Sequence, residues 1–251
     1  MKRLIFALSV IVLAVGGGEA CFDTYLFLNK YSMVYPKGKF VSDVLLEYSG
    51  NSVVLPENDT FFANLNFFYG ITDGLSLQLG IASKEITRTE VLEVEGFGIR
   101  LVYNLLSQVL PFADRFTVDV ILEHHQAIFG RDMTFEFSVP GIFYVGSVVG
   151  VVHPVFTLAD LEKEVIEYSL GGHVGLFYLI GNSALVGLGA EYQSAQNGST
   201  FGSRLIEGEA GVSVFFGAKL GDNFYLQNEF AKGIANARDF GIAFTLKVIP
   251  W

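Results

Sequence analysis

From Thr60 onward the chain alternates. "TFFANLNFFYG" (60–70) sets Phe61, Ala63, Leu65, Phe67 and Tyr69 on one face and Asn64 and Asn66 on the other. "LSLQLGIA" (75–82) repeats the pattern, with Leu75, Leu77, Leu79 and Ile81 against Ser76, Gln78, Gly80 and Ala82. A period of two predicts strands with one apolar face. Between them "ITDG" (71–74) reads as a tight hairpin turn centred on Asp-Gly. In 166–179, Ile166, Tyr168, Leu170, Val174, Leu176 and Tyr178 oppose Glu167, Ser169, Gly171, His173 and Gly175. In 238–248, Phe240, Ile242, Phe244, Leu246 and Val248 oppose Asp239, Gly241, Ala243, Thr245 and Lys247. No stretch sustains a helical period; "LADLEKEV" (158–165) is short and charged and suits a loop.

The alternation predicts twelve strands, near 38–48, 60–70, 74–83, 92–104, 115–127, 132–139, 142–157, 165–179, 183–194, 203–219, 222–232 and 238–248. Most reach the 9–11 residues that a tilted strand needs to cross a bilayer. Short connections at 71–73, Pro140-Gly141, Gly181-Asn182 and Leu220-Gly221 alternate with longer ones at 49–59, 84–91, 158–164 and 195–202. The stretch 105–114 is long where a short turn is expected, and 128–131 and 233–237 are brief where long loops are expected. Short periplasmic turns, longer external loops and an even strand number describe an outer-membrane barrel. The expected fold is all-β: an antiparallel, transmembrane, up-and-down barrel of twelve strands, with ten or fourteen if boundaries move by a few residues.

Composition weighs against a secreted β-sandwich, which would also alternate. The chain has 251 residues, 51% hydrophobic and 14% aromatic, with 28 Gly and only 17% charged residues. Aromatics near strand ends (Phe61, Tyr69, Tyr103, Tyr168, Tyr178, Tyr192) suit interfacial girdles. A glycine-rich polar face would pack poorly in a dry core. The formal charge of −10, without a Lys/Arg cluster, argues against nucleic-acid binding. At the N-terminus, Met1-Lys2-Arg3 precedes an apolar run from Leu4 to Val15, too short to span a bilayer, and then small residues before Cys21. Residues 1–20 are therefore expected to be a cleaved signal, 21–37 a periplasmic or plug segment, and 38–251 the barrel. Acylation of Cys21 is the alternative, though Gly18 and Glu19 depart from a lipoprotein pattern.

In "DFGIAFTLKVIPW", Asp239, Gly241, Phe244 and Leu246, with the closing aromatic Trp251, resemble the C-terminal signal of bacterial outer-membrane barrel proteins. That resemblance implies an outer-membrane location and recognition by the barrel-assembly machinery. "NKYSMVYPKGKF" (29–40) with "FFYGITDGLSLQLGI" (67–81) resembles barrels grouped as transporters of a phenol-degradation pathway. This second resemblance implies a channel-like role.

Lipid excludes charge, so charged strand residues should face the lumen. Strand parity turns Asp119, Glu123, Glu136, Glu167, Glu191, Glu207, Glu209, Glu229 and Asp239 inward, with His173, against Arg100, Lys219 and Lys247. An acidic lumen favours cations or neutral solutes. Inward glycines, among them Gly80, Gly98, Gly187 and Gly189, leave room for water or facing aromatics, or serve strand curvature. No His is followed two residues later by Ser, and no Ser-His-Asp set, phosphate loop or metal cluster is apparent. Glu123 and His125 share a face and form the one candidate acid–base pair. No cofactor is expected, and the chain is not expected to be an enzyme. The function expected is passive passage of small solutes; a surface or structural barrel and a barrel hydrolase are the alternatives. The expected partners are the lipid bilayer, the assembly machinery and small solutes.

Overall fold

A computed structural model of the chain describes residues 32–50, 60–86, 92–128, 133–160, 166–194, 199–200, 203–204, 209–235 and 240–250. Cys21, Glu207, Asp239 and Trp251 lie outside the described residues, as do the expected signal and the side chain of Glu167.

Twelve wall positions form in chain order. They are β1 (Phe40–Gly50), β2 (Thr60–Thr72), β3 (Leu75–Ile86), β4 (Glu93–Leu110), β5 (Ala113–Ala127) and β6, which runs as Met133–Ser138 and Gly141–Val145. The others are β7 (Val148–Asp160), β8 (Ile166–Ile180), β9 (Ala184–Gln193), β10 (Glu209–Lys219), β11 (Phe224–Ala235) and β12 (Phe240–Val248). Each pairs antiparallel with its neighbours in sequence, and β12 pairs with β1 (Asp43↔Lys247, Leu46↔Phe244), which closes the cylinder. Closure is what a bilayer demands, because lipid offers an open edge no hydrogen bonds.

Two connections differ from expectation while the strand number does not. Pro140-Gly141 is not a turn. Both segments of β6 pair with β5 and β7 in one unbroken register (Ile121↔Ser138, Val118↔Gly141), so the strand runs through the proline. Pro140 has no N–H to give, but its carbonyl accepts from Asp119 N–H at 3.1 Å and the fixed φ of proline suits an extended chain. The turn comes later, at Gly146, whose φ of +58° is the left-handed region that glycine tolerates. Likewise 105–114 is not a long loop: β4 and β5 extend to a turn at Pro111-Phe112, with register shifts near Leu105 and Val109. The expected strand 203–219 is shorter, since β10 begins at Glu209 and Ser199–Thr200 pairs with Ser203–Arg204 in a small ribbon of its own.

The outer surface is the apolar face. Leu79, Ile99, Leu122, Leu170, Leu176 and Leu188 are exposed, as are Tyr168 and Tyr192 toward the long-loop end and Tyr69, Tyr103 and Tyr178 toward the short-turn end. A belt of aliphatics between two rings of tyrosine matches a bilayer slab and its two interfaces. The structure is that of a transmembrane β-barrel. Leu188, 61% exposed in the middle of β9, tests the assignment. Leu188→Arg should destabilise the folded barrel by about 2–4 kcal/mol, with Leu188→Ile close to neutral, as read from urea unfolding in lipid vesicles. A neutral Arg would mean that this face does not meet lipid.

Candidate functional site

The bore divides into two halves of opposite character. Toward the short turns the bore holds an apolar layer, with Thr117, Asp119 and Lys247 buried there as well. Val102, Ile121, Ile142, Tyr144, Val149, Val151, Phe177, Leu179, Leu185, Phe215 and Tyr225 form one buried cluster. Glycines make this layer fit. A Cβ at Gly187 would sit 2.4 Å from the Phe177 ring, at Gly189 2.7 Å from the Phe215 ring, and at Gly217 2.3 Å from the Tyr225 hydroxyl. Of the readings open for these glycines, room for facing aromatics is what these contacts display. The layer was legible in principle, since the parity that turns Ser169 and His173 inward continues to Phe177 and Leu179. A rule that lumens are polar hides it.

Toward the long loops the wall is polar. Glu123 on β5 stands between two basic groups: His125 Nε2 lies 2.9 Å from its Oε1 and Arg100 Nε 3.5 Å from its Oε2. Arg100 also donates to the Gln78 side-chain carbonyl at 3.4 Å, and Asn66 donates to Asp43 at 2.8 Å. The register explains the meeting, because Gln78, Arg100, Glu123 and Glu136 stand opposite one another across β3 to β6. Gly98 and Gly80 keep a hollow between the strands; a Cβ there would meet His125 Nδ1 at 2.9 Å and Asn66 Oδ1 at 2.7 Å. The hollow is about 50 Å³ and is lined by Asn64, Asn66, Gln78, Arg100, Glu123 and His125, among others. That is room for a water or two.

A second run crosses β6 to β9. His153 Nε2 is 2.8 Å from Ser138 Oγ, the His153 and His173 ring centres are 5.6 Å apart, and His173 Nδ1 lies 3.7 Å from Glu191 Oε2. The Ser138–His153 pair escapes a search for Ser two residues from His, because it forms across strands. A catalytic imidazole needs an acceptor on its other nitrogen to hold its tautomer. Among the described residues His153 Nδ1 has no hydrogen-bond partner, and Ser138 is buried. Glu136 receives Thr157 Oγ1 at 3.5 Å. Among the described residues no group of three or more His, Cys, Asp or Glu is arranged to hold a metal ion.

The third cluster sits at the seam. Lys247 on β12, 1% exposed, donates to the Tyr35 hydroxyl at 2.7 Å and lies 3.4 Å from Asp43 Oδ2. Its ammonium is also 4.5 Å from the centre of the Phe68 ring, a cation–π distance. Asp43 and Glu47, both buried on β1, are inner-wall acids that the parity reading omitted because β1 alternates poorly in sequence. Glu229 is buried on β11. Lys219 lies elsewhere, at the short-turn rim, 3.9 Å from Asp222. Glu209 begins β10 opposite Gln193, at the long-loop end of the wall. On β12, Gly241 is buried against β1 and β11, Phe244 is exposed to the lipid side and Leu246 stands opposite Val44.

Inside the wall lies a stretch that belongs to no strand. Ser32, Met33, Val34 and Tyr35 are all buried within the bore, and Met33 and Val34 complete the apolar layer. Asp119, buried on β5, accepts from Met33 N–H at 2.7 Å, from Ser32 Oγ at 2.9 Å and from Asn104 Nδ2 at 2.7 Å.

No protein-family model matches the chain. No curated protein matches it either. Solved structures do. The KdgM porin aligns with a TM-score of 0.53 at 12% identity, over 83% of this chain and 98% of the porin. The NanC porin aligns with a TM-score of 0.55, also at 12% identity and with the same coverage. KdgM in complex with disordered oligogalacturonate gives 0.54 at 11% identity, again over 83% and 98%. At such identities the likeness concerns the fold.

Proposed function

We propose that the protein is an outer-membrane channel for passive passage of small solutes, preferring cations or neutral molecules over anions. The observation that carries this reading is the charge of the inner wall, where acidic side chains outnumber basic ones. Asp43, Glu47, Glu123, Glu136, Glu191 and Glu229 stand on the described wall against Arg100, Lys84 and Lys247. Acids in excess inside a low-dielectric wall attract cations and repel anions. KdgM and NanC, which share the fold, carry the name porin, and this supports the channel class without naming a solute.

The packed apolar half favours a second reading, a surface or structural barrel with a filled interior. Recordings in planar bilayers separate the two. The channel reading expects discrete current steps from the folded chain and, in a salt gradient, a reversal potential of the sign set by cation flow. Anion preference would remove the charge argument. Silence from the chain and from every variant that loosens the bore would leave the structural reading.

A further inference from the structure

Ser32–Tyr35 reaches the bore through a local device. Pro36 to Lys39 forms a tight turn: Lys39 N–H donates to the Pro36 carbonyl at 3.0 Å, and Gly38 has a φ of +72°. That is the left-handed conformation a glycine tolerates at such a corner. The turn is pinned to β2, where Gly38 N–H donates to the Gly70 carbonyl at 2.7 Å and Gly70 N–H to the Lys39 carbonyl at 3.0 Å. A Cβ at Gly70 would lie 2.0 Å from the Pro36 carbonyl oxygen, so only glycine lets the corner sit here. The chain therefore descends through the bore, reverses at the short-turn rim and enters β1.

Two features distinguish this stretch from an ordinary piece of core. It contributes nothing to the strand ladder, so it can leave without opening the barrel. Beside the apolar contacts of Met33, Val34 and Tyr35, it carries polar fastenings at both ends. Burying a carboxylate is costly, and an apolar substitute of similar volume often does as well or better. Yet Asp119 stands inside the bore, and Ser32 and Met33 supply most of its hydrogen bonds while the wall supplies Asn104. At the other end Lys247 holds the Tyr35 hydroxyl. Polar latches are specific and can be undone.

We propose that Ser32–Tyr35 is the gate of the channel, pivoting at Pro36–Gly38, with Asp119 and Lys247 as its latches. The gate rests on the channel reading above. In the conformation described here it is shut. Its departure takes Met33 and Val34 out of the apolar layer and opens the short-turn half of the bore to the polar half.

The test uses the full chain in lipid vesicles with Cys21→Ala, so that a cysteine placed at Ser32→Cys is the only thiol. Folding of every variant is checked by heat-modifiable migration. A membrane-impermeant maleimide should label Ser32→Cys slowly while Met33 N–H still donates to Asp119 and Lys247 still holds the Tyr35 hydroxyl. Adding Asp119→Asn with Tyr35→Phe should speed labelling at least about tenfold, the change expected when one charge-assisted hydrogen bond is lost. Open probability should rise in step. Gly70→Ala, which displaces the corner without touching a latch, should do the same. A disulfide between Ser32→Cys and Asp119→Cys should silence the current, and reduction should restore it. Unchanged labelling in the loosened variants, with current flowing through all of them, would overturn the gate and leave the channel. Faster labelling with neither current nor neutral-solute swelling in any variant would overturn the channel reading, and the gate with it.

Discussion

Removing residues 244–251 should leave no closed barrel. Phe244 to Val248 are the residues through which β12 pairs with Ser42 to Leu46 on one side and with Phe224 to Asn228 on the other. Without them β1 and β11 each present a row of unpaired N–H and C=O groups at bilayer depth. Each such group costs several kcal/mol where no water can reach it. In vitro refolding into detergent or vesicles, with no assembly machinery present, should yield no species that migrates faster unheated than heated. The point variants Phe244→Ala and Leu246→Ala address the other role proposed for this strand. With Asp239, Gly241 and Trp251 they form the expected assembly signal, so they should impair delivery to the outer membrane in cells while leaving refolding in vitro largely intact. Equal loss in both settings would mean that these side chains matter to the strand and not to a receptor.

The second large effect is expected at the seam. Asp43 and Lys247 are both almost wholly buried, 3.4 Å apart, on strands that the chain reaches first and last. Asp43→Ala takes from the buried Lys247 ammonium the carboxylate 3.4 Å away, and should cost about 3–5 kcal/mol. Changing both partners, Asp43→Leu with Lys247→Met, removes the charge and its desolvation together and should recover most of that loss. Urea midpoints measured in vesicles on Asp43→Leu, Lys247→Met and the double variant give the coupling directly. If the double variant is as unstable as Asp43→Ala, the pair is not what Asp43 contributes.

Much of this architecture is present in one-dimensional form. The period of two follows from strand geometry alone, so Leu75 to Ile81 announce their shared face without reference to any neighbour. Lipid sharpens the signal: it makes the outward face uniformly apolar, as in Ile166 to Tyr178, and forbids charge there. Turns were less secure, because turn residues mark only what a chain can do. Pro140-Gly141 has the composition of a corner, yet β5 and β7 hold both of its sides in one register and pull it straight.

The bore was the least legible part. Parity states which residues point inward but not how far along the axis each one sits, and it says nothing of partners. Glu123 meets Arg100 and His125 because β4 and β5 are in a particular register, and Ser138 meets His153 across β6 and β7. The division of the bore into a polar and an apolar half needs the stagger of all twelve strands. So does the placing of Ser32–Tyr35, whose sequence has neither a strand period nor a charge to reveal it. Asp119 and Lys247 hold that segment from strands 86 and 212 residues away along the chain. The sequence by itself therefore determined the class of fold, the lipid face and the closing strand, since each depends on near neighbours in the chain and on the solvent. Only the tertiary structure decided what fills the barrel, because that depends on contacts between residues whose separation in sequence carries no periodic signal.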